Sequence, residues 1–136
     1  MNYWLMKSEP SSYSWRDMAR DGKTNWNGVR NFQANNSLKA MKKGDRCFFY
    51  HSGDDRAIMG IVKVVQQFYP DTADATGKFG MVDVEIVKPL KSPVTLMDIK
   101  KNLNLKNLPL IKQSRLSVMP ISEKEWNVIL KMGGTT

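Results

Sequence analysis

The residues best suited to chemistry in this chain form one run, Trp26-Asn27-Gly28-Val29-Arg30-Asn31, continued by Gln33 and Ala34. An indole face stacks on a planar ligand, and guanidinium and amide groups reach a ligand's polar edge. The run carries many side-chain donors and little apolar periodicity, which sets it apart from a core strand. Gly28 lets backbone approach whatever the ring covers. This is the chemistry of recognition. The competing reading is a turn before a helix with Trp26 as a core anchor, since most tryptophans in a small domain are structural.

Bond-making chemistry has thinner support. Ser8, Ser52 and Cys47 are nucleophile types, and His51 is the one histidine. A nucleophile needs a base and an orienting group in contact with it, and adjacent residues of an extended stretch, such as His51 and Ser52, point to opposite sides. No phosphate-cradling glycine loop, nucleophile elbow or metal-ligand spacing occurs. One Cys and one His are too few for a zinc site of the usual kind. A noncatalytic binder without metal or cofactor is therefore expected. Two alternatives stand beside it: an enzyme acting on a nucleotide or nucleic acid with Glu9 or His51 as acid or base, and a protein-interaction module.

The partner is indicated by charge. Against 13 Asp and Glu stand 21 Lys and Arg, a net charge of +8 in 136 residues. Such an excess in a small domain favours a polyanion, nucleic acid above all. A membrane partner would call for a long apolar run or a basic amphipathic helix, and neither is seen. The length fits one domain over residues 1–136, with residues 133–136 as a frayed tail. A single Cys47 and an N-terminus unlike a signal peptide point to an intracellular, cytoplasmic protein.

The elements that must position the run can be read in order. Tyr3 to Met6 reads as a buried strand, ended by Pro10. Ser14-x-x-Asp17 opens a short helix from Trp15 to about Arg20, closed by Gly22. A second helix spans Phe32 to Met41, so its N-terminus lies beside Arg30-Asn31 and favours an anionic or electron-rich ligand edge. Asp45–Tyr50 and Ala57–Val65 form a hairpin, with Gly60 marking a bulge or a close approach. Met81–Val87 alternates as a strand, and Pro89 and Pro93 should break the chain. Thr95-x-x-Asp98 opens a helix to about Asn102, Arg115–Pro120 is a short strand, and Ser122-x-x-Glu125 caps a C-terminal helix. Residues 103–109 read as loop or helical turn. About five strands around one sheet, without βαβα alternation, make an α+β domain of barrel-like form.

Six stretches in this order carry a resemblance: Tyr3-Trp4-Leu5-Met6-Lys7-Ser8-Glu9-Pro10, Trp26 to Ala34, Phe48-Phe49-Tyr50-His51-Ser52, Tyr69-Pro70-Asp71, Met81-Val82-Asp83-Val84 and Arg115 to Pro120. Together they resemble the successive motifs of the EVE-domain family, over nearly the whole chain. The resemblance implies a PUA-like β-barrel with peripheral short helices that binds DNA or RNA and grips a base, often modified, in a pocket. Carried onto this chain it implies a cage aromatic at Trp26, a pocket lined by Ser8, Glu9, Gly28, Val29 and Asn31, and a rim of Tyr50, His51 and Ser52. Arg30 would shape the pocket or join Lys7 and Lys39 in holding phosphates. Tyr69 and Phe79 bracket the Pro70–Lys78 loop and are the candidates for the second cage wall.

Overall fold

A computed structural model describes residues 1–135. Among them run six strands: β1 (Tyr3–Ser8), β2 (Lys23–Asn25), β3 (Arg46–His51), β4 (Ala57–Pro70), β5 (Gly80–Thr95) and β6 (Val118–Ile121). Around them lie α1 (Trp15–Asp21), α2 (Phe32–Ala40), α3 (Leu96–Lys101), α4 (Pro109–Lys112) and α5 (Glu123–Met132), with a single 3-10 turn at Leu103–Leu105. The strands form one mixed sheet in the order β2-β5-β4-β3-β1-β6, which does not close. β1 and β3 run parallel and every other pair is antiparallel. The α+β class is the expected one, but the sheet has six strands and stays open where about five in a barrel-like form are expected.

β3 explains the two faces of the sheet. Cys47 to His51 are all buried, so side chains of alternating direction enter packed layers on both sides. Phe48 stacks on Trp126 of α5 at 3.8 Å between centroids, and Tyr3 stacks on the same indole at 4.6 Å. Phe49 enters the other layer, where it meets Trp26 edge-on at 5.5 Å, Trp15 at 5.3 Å and Tyr13 at 6.5 Å. One face of the sheet is thus sealed by a helix and the other carries an aromatic cluster.

Local signals positioned that cluster. The capping boxes at Ser14/Asp17 and Ser122/Glu125 are both formed. Gly22 ends α1 at a φ of 73° and its N–H reaches the Met18 carbonyl. Gly60 is a point of close approach: a Cβ there would fall 2.4 Å from the Trp15 ring. The pairing register shifts beside it, between Ile58 and Gly60.

Several expectations need correction. Pro89 and Pro93 do not break the chain, because β5 runs through both to Thr95. β2 pairs only with Asp83–Glu85, so the later part of β5 is an edge, where a missing N–H is tolerated. β4 likewise extends to Pro70, well beyond Val65. β6 starts at Val118, not Arg115, and α2 stops at Ala40. Beyond α5 the chain carries hydrogen bonds as far as Thr135. Gly133 accepts from the Ser92 N–H at 3.1 Å, and the Thr135 N–H donates to Leu130 at 2.9 Å. Thr136 lies outside the described residues.

Candidate nucleic-acid interface

On the Phe49 face a cavity of about 430 Å³ opens between the end of β1, the turn after it, and β2. That volume is within the range of small-ligand sites, about 300–1,000 Å³. Lys7, Ser8, Glu9, Tyr13, Asn25 and Trp26 line it. The turn is built locally. Ser12 and Tyr13 donate their N–H groups to the Glu9 carbonyl at 2.9 and 2.8 Å, and the Ser8 hydroxyl donates to the Tyr13 carbonyl. Trp26 is fixed by its own N–H on the Val82 carbonyl at 2.7 Å. Trp26 and Tyr13 therefore flank the cavity, and both rest on Phe49.

Trp26 is only 8% exposed. It offers the cavity a margin of its ring rather than an open platform. Its Nε1–H has no hydrogen-bond partner among the described residues, while no buried side-chain nitrogen or oxygen among them lacks one. That N–H therefore reaches the surface. Glu9 is exposed, and its carboxylate accepts weakly from Ser52 Oγ at 3.3 Å and Ser11 Oγ at 3.4 Å. Gly53 lies against it, where a Cβ would fall 2.8 Å from the carboxylate. Lys7 Nζ spends one donor on the Ser114 carbonyl at 2.8 Å, which leaves two of its three free. Burial pushes its pKa down. The Lys7 ammonium lies with Ser114 and Tyr50, which border a neighbouring hollow, so the cavity itself offers donors from Trp26 and Asn25, an acceptor from Glu9, and two aromatic flanks.

The second half of the Trp26–Asn31 run does other work. Gly28 has a φ of 80°, a left-handed value that disfavours any other residue. A Cβ there would meet nothing within 4 Å, so conformation, not close approach, requires the glycine. Its N–H donates to Asp71 Oδ2 at 2.9 Å, and Arg30 pairs with the same oxygen at 3.1 Å. Asp71 is 4% exposed and also accepts from the Ala73 N–H at 3.0 Å. The Gly28 N–H above all, with Ala73 and Arg30, holds its carboxyl below the usual carboxylate range. Val29 is buried. Asn31 caps α2, its side-chain oxygen accepting from the Ala34 N–H at 2.9 Å. The cap takes one of the free N–H groups of the α2 N-terminus, and Asn31 borders a separate hollow with Gln33 and Arg115.

Tyr69 and Phe79 do not line the cavity. The Tyr69 hydroxyl donates to Asp83, a bond that raises its pKa to about 12. Phe79 packs on Phe32 at 4.9 Å, with the Arg30 guanidinium 5.8 Å from its ring. Tyr13 occupies the flank expected of them, an aromatic that sequence reading passed over because it falls in an aperiodic turn. Asp71 was missed as an anchor because its partners lie 41 and 43 residues away. Tyr50 borders a neighbouring hollow with Lys7 and Ser52. Lys39 sits over Phe68, 5.6 Å from its ring, apart from the cavity.

His51 is not poised as a base. It is buried, its Nε2 accepts from the Trp15 N–H at 2.8 Å, and its Nδ1 faces Asp55 at 3.1 Å. Both nitrogens are engaged, with the Nδ1 proton assigned by that network. Cys47 is fully buried, and desolvation pushes its thiol far up. No group of three or more His, Cys, Asp or Glu among the described residues is arranged to hold a metal. No helix among them is long and apolar enough to cross a membrane.

The chain is similar to known proteins over nearly its whole length. The family model of the EVE domain matches residues 2–132. Human thymocyte nuclear protein 1 is 34% identical over 165 aligned positions, covering 96% of this chain and 73% of that protein. A crystal structure of a protein from Agrobacterium tumefaciens is 43% identical, covers 99% of this chain and 94% of its own, and superposes with a TM-score of 0.96. The crystal structure of human THYN1 in complex with 5-methylcytosine-containing DNA is 32% identical, with a TM-score of 0.94 and coverage of 100% and 99%. The shared architecture is the PUA-like fold.

Proposed function

This chain belongs to the EVE-domain family, and we propose that it is a noncatalytic nucleic-acid-binding domain over residues 1–136 that receives a modified base in the Trp26–Tyr13 cavity. The observation that carries this reading is the cavity itself. It has aromatic margins on two sides and an exposed acceptor on Glu9, with the Lys7 ammonium in the adjoining hollow. A cytosine edge presents an amino donor beside ring-nitrogen and carbonyl acceptors, which suits one carboxylate flanked by donors. Extruding a base costs a few kcal/mol, and aromatic contact with edge hydrogen bonds offsets a cost of that size. The family relative seen with 5-methylcytosine DNA supports the same partner class, as does the net charge of +8.

The commitment of both His51 nitrogens and the burial of Cys47 favour binding over turnover. We place the domain inside the cell, where such a partner is found.

The test is a titration of fluorescent duplexes that differ only by one 5-methylcytosine. Wild type is expected to prefer the modified duplex. Glu9→Gln, at an exposed position, is expected to keep the fold and reduce that preference. Equal affinities for both duplexes in the wild type would refute modified-base reading. Glu9-dependent product formation would move the assignment to an enzyme.

A further inference from the structure

The base cavity does not end at Lys7. That side chain lies 5.8 Å from the Tyr50 ring centre and borders a second hollow of about 290 Å³, shared with Arg56, Leu96 and Lys100. Arg56, Leu96 and Lys100 in turn border a third hollow of about 620 Å³, which reaches Met97 and Lys101 on α3. The base cavity and the second hollow meet at Lys7, and the second and third share Arg56, Leu96 and Lys100, so the three adjoin in a row, a track from the base cavity to α3.

The cations along the track stand outside the ion pairs of the molecule. Four ion pairs occur among the described residues: Arg20 with Asp17 and with Asp21, Arg30 with Asp71, and Lys63 with Glu85. None of them uses Lys7, Arg56, Lys100 or Lys101. Two carboxylates, Asp54 and Asp55, stand on the rim of the third hollow, and Asp55 is engaged by His51. The balance along the track remains positive. Arg56 is also the one non-glycine residue among those described with a positive φ, at 42°. Its Nε donates to the Gly53 carbonyl at 3.1 Å, leaving its terminal N–H groups free. Such backbone conformations persist where surroundings hold them, and they cluster at ligand sites. Between the cations Leu96 is half-buried and Met97 is 67% exposed, an apolar strip on which a sugar or an unstacked base can rest.

We propose that the strand flanking the captured base runs along this track, its phosphates held by Arg56, Lys100 and Lys101 after it passes Lys7. The assignment rests on the base-capture reading above and adds the path of the strand. A nucleic acid fits better than an acidic peptide because the track adjoins a cavity of aromatic and edge-bonding groups. Phosphate contacts position the strand and carry no sequence information. Each phosphate neutralised contributes about 0.7–0.9 to the slope of log affinity against log salt.

The experiment uses the full chain with the paired modified and unmodified duplexes, titrated from 50 to 200 mM KCl. Arg56→Gln/Lys100→Gln/Lys101→Gln is expected to lower the salt slope by about 2–3. It should weaken both duplexes equally and leave their ratio unchanged. Lys42→Gln/Lys43→Gln, at the opposite end of β3, should leave the slope as it was. If the triple variant melts early, Lys100→Gln alone is expected to lower the slope by about 1. A wild-type slope in a folded track variant that still prefers the modified base overturns the track and spares the base reading. An equal loss in the Lys42/Lys43 variant overturns the location. Equal competition by a polyglutamate peptide of matched charge overturns the nucleic-acid assignment. Absence of any binding by wild type overturns both readings.

Discussion

Two halves of one hexapeptide behave differently in this molecule. At Trp26 the chain enters the Phe49 layer and borders a cavity with an indole N–H left unspent. From Gly28 to Arg30, polar groups of the same kind are consumed by Asp71, and Asn31 is consumed by the α2 cap. Both halves carry aromatic neighbours, amides and a cation in reach. What separates a binding surface from a strut is therefore where the donors end. Donors that end on a buried carboxylate hold the fold, and donors that end in solvent remain for a partner.

The largest effect expected from this division is at Trp26 itself. Because the ring is 8% exposed and packs on Phe49, Trp26→Ala should destabilise by about 3–5 kcal/mol, as large-to-small aromatic substitutions do. Loss of base preference in that variant would then be ambiguous. Trp26→Phe keeps most of the packing and removes the Nε1 donor. It is expected to retain a near-wild-type melting temperature and to lose affinity for the modified duplex. A Phe variant with unchanged affinity would mean that the indole edge is purely structural.

Next comes the strut. Asp71→Asn weakens the pairing with Arg30 and places an amide opposite the Gly28 N–H, so unfolding in urea should show a loss of about 2–3 kcal/mol. The Arg30 guanidinium is partly exposed and finds water, which keeps the cost below that of a fully buried pair. At temperatures where the variant stays folded, duplex binding should change little. A binding defect larger than the stability defect would erase the distinction between the two halves.

The third comparison sets Tyr13 against Phe79, the aromatic that borders the cavity and the one that does not. Tyr13→Ala should weaken the modified duplex by about 1–3 kcal/mol, the usual value of one aromatic contact to a base. Phe79→Ala should leave binding unchanged, since its ring rests on Phe32 near Arg30. Equal losses in a titration would put the second wall back beside the 71–80 loop.

What sequence reading could reach follows the same line. Ser14/Asp17, Ser122/Glu125 and Gly60 were legible because their causes lie within a few residues or in a single missing Cβ. The fold class followed from those elements and from the resemblance. Asp71 was not legible as an anchor, because nothing near it in sequence announces Gly28 and Arg30. Pro89 and Pro93 misled because their cost depends on which side of β5 is paired, and β2 covers only Asp83–Glu85. β2, with three residues, is too short for a periodic signal. At the site, Lys7, Ser8, Glu9 and Trp26 do share one cavity. Tyr13 was hidden by the turn that carries it.

The smallest effect is set by acid, and it falls on the strut side. Asp74 accepts from the Thr76 hydroxyl at 2.6 Å and from the N–H groups of Thr76, Lys78 and Phe79 at 2.8–3.0 Å. These bonds, the Thr76 hydroxyl first, lower its pKa from 3.8 to about 2. Asp71 is lowered too, chiefly by Gly28. A carboxylate depressed in the folded state stabilises fully above its unfolded value and loses that contribution as pH falls through its folded value. The 71–80 loop should therefore loosen between pH of about 4 and about 2. Amide exchange is the direct readout, with protection at Gly28, Lys78 and Phe79 falling across that interval. Trp26, whose N–H ends on the Val82 carbonyl, has no titrating acceptor and should keep its protection until the domain unfolds as a whole. Simultaneous loss at Trp26 and Phe79 would mean that strut and cavity open as one unit, and that the two halves are separate in their bonding but not in their stability.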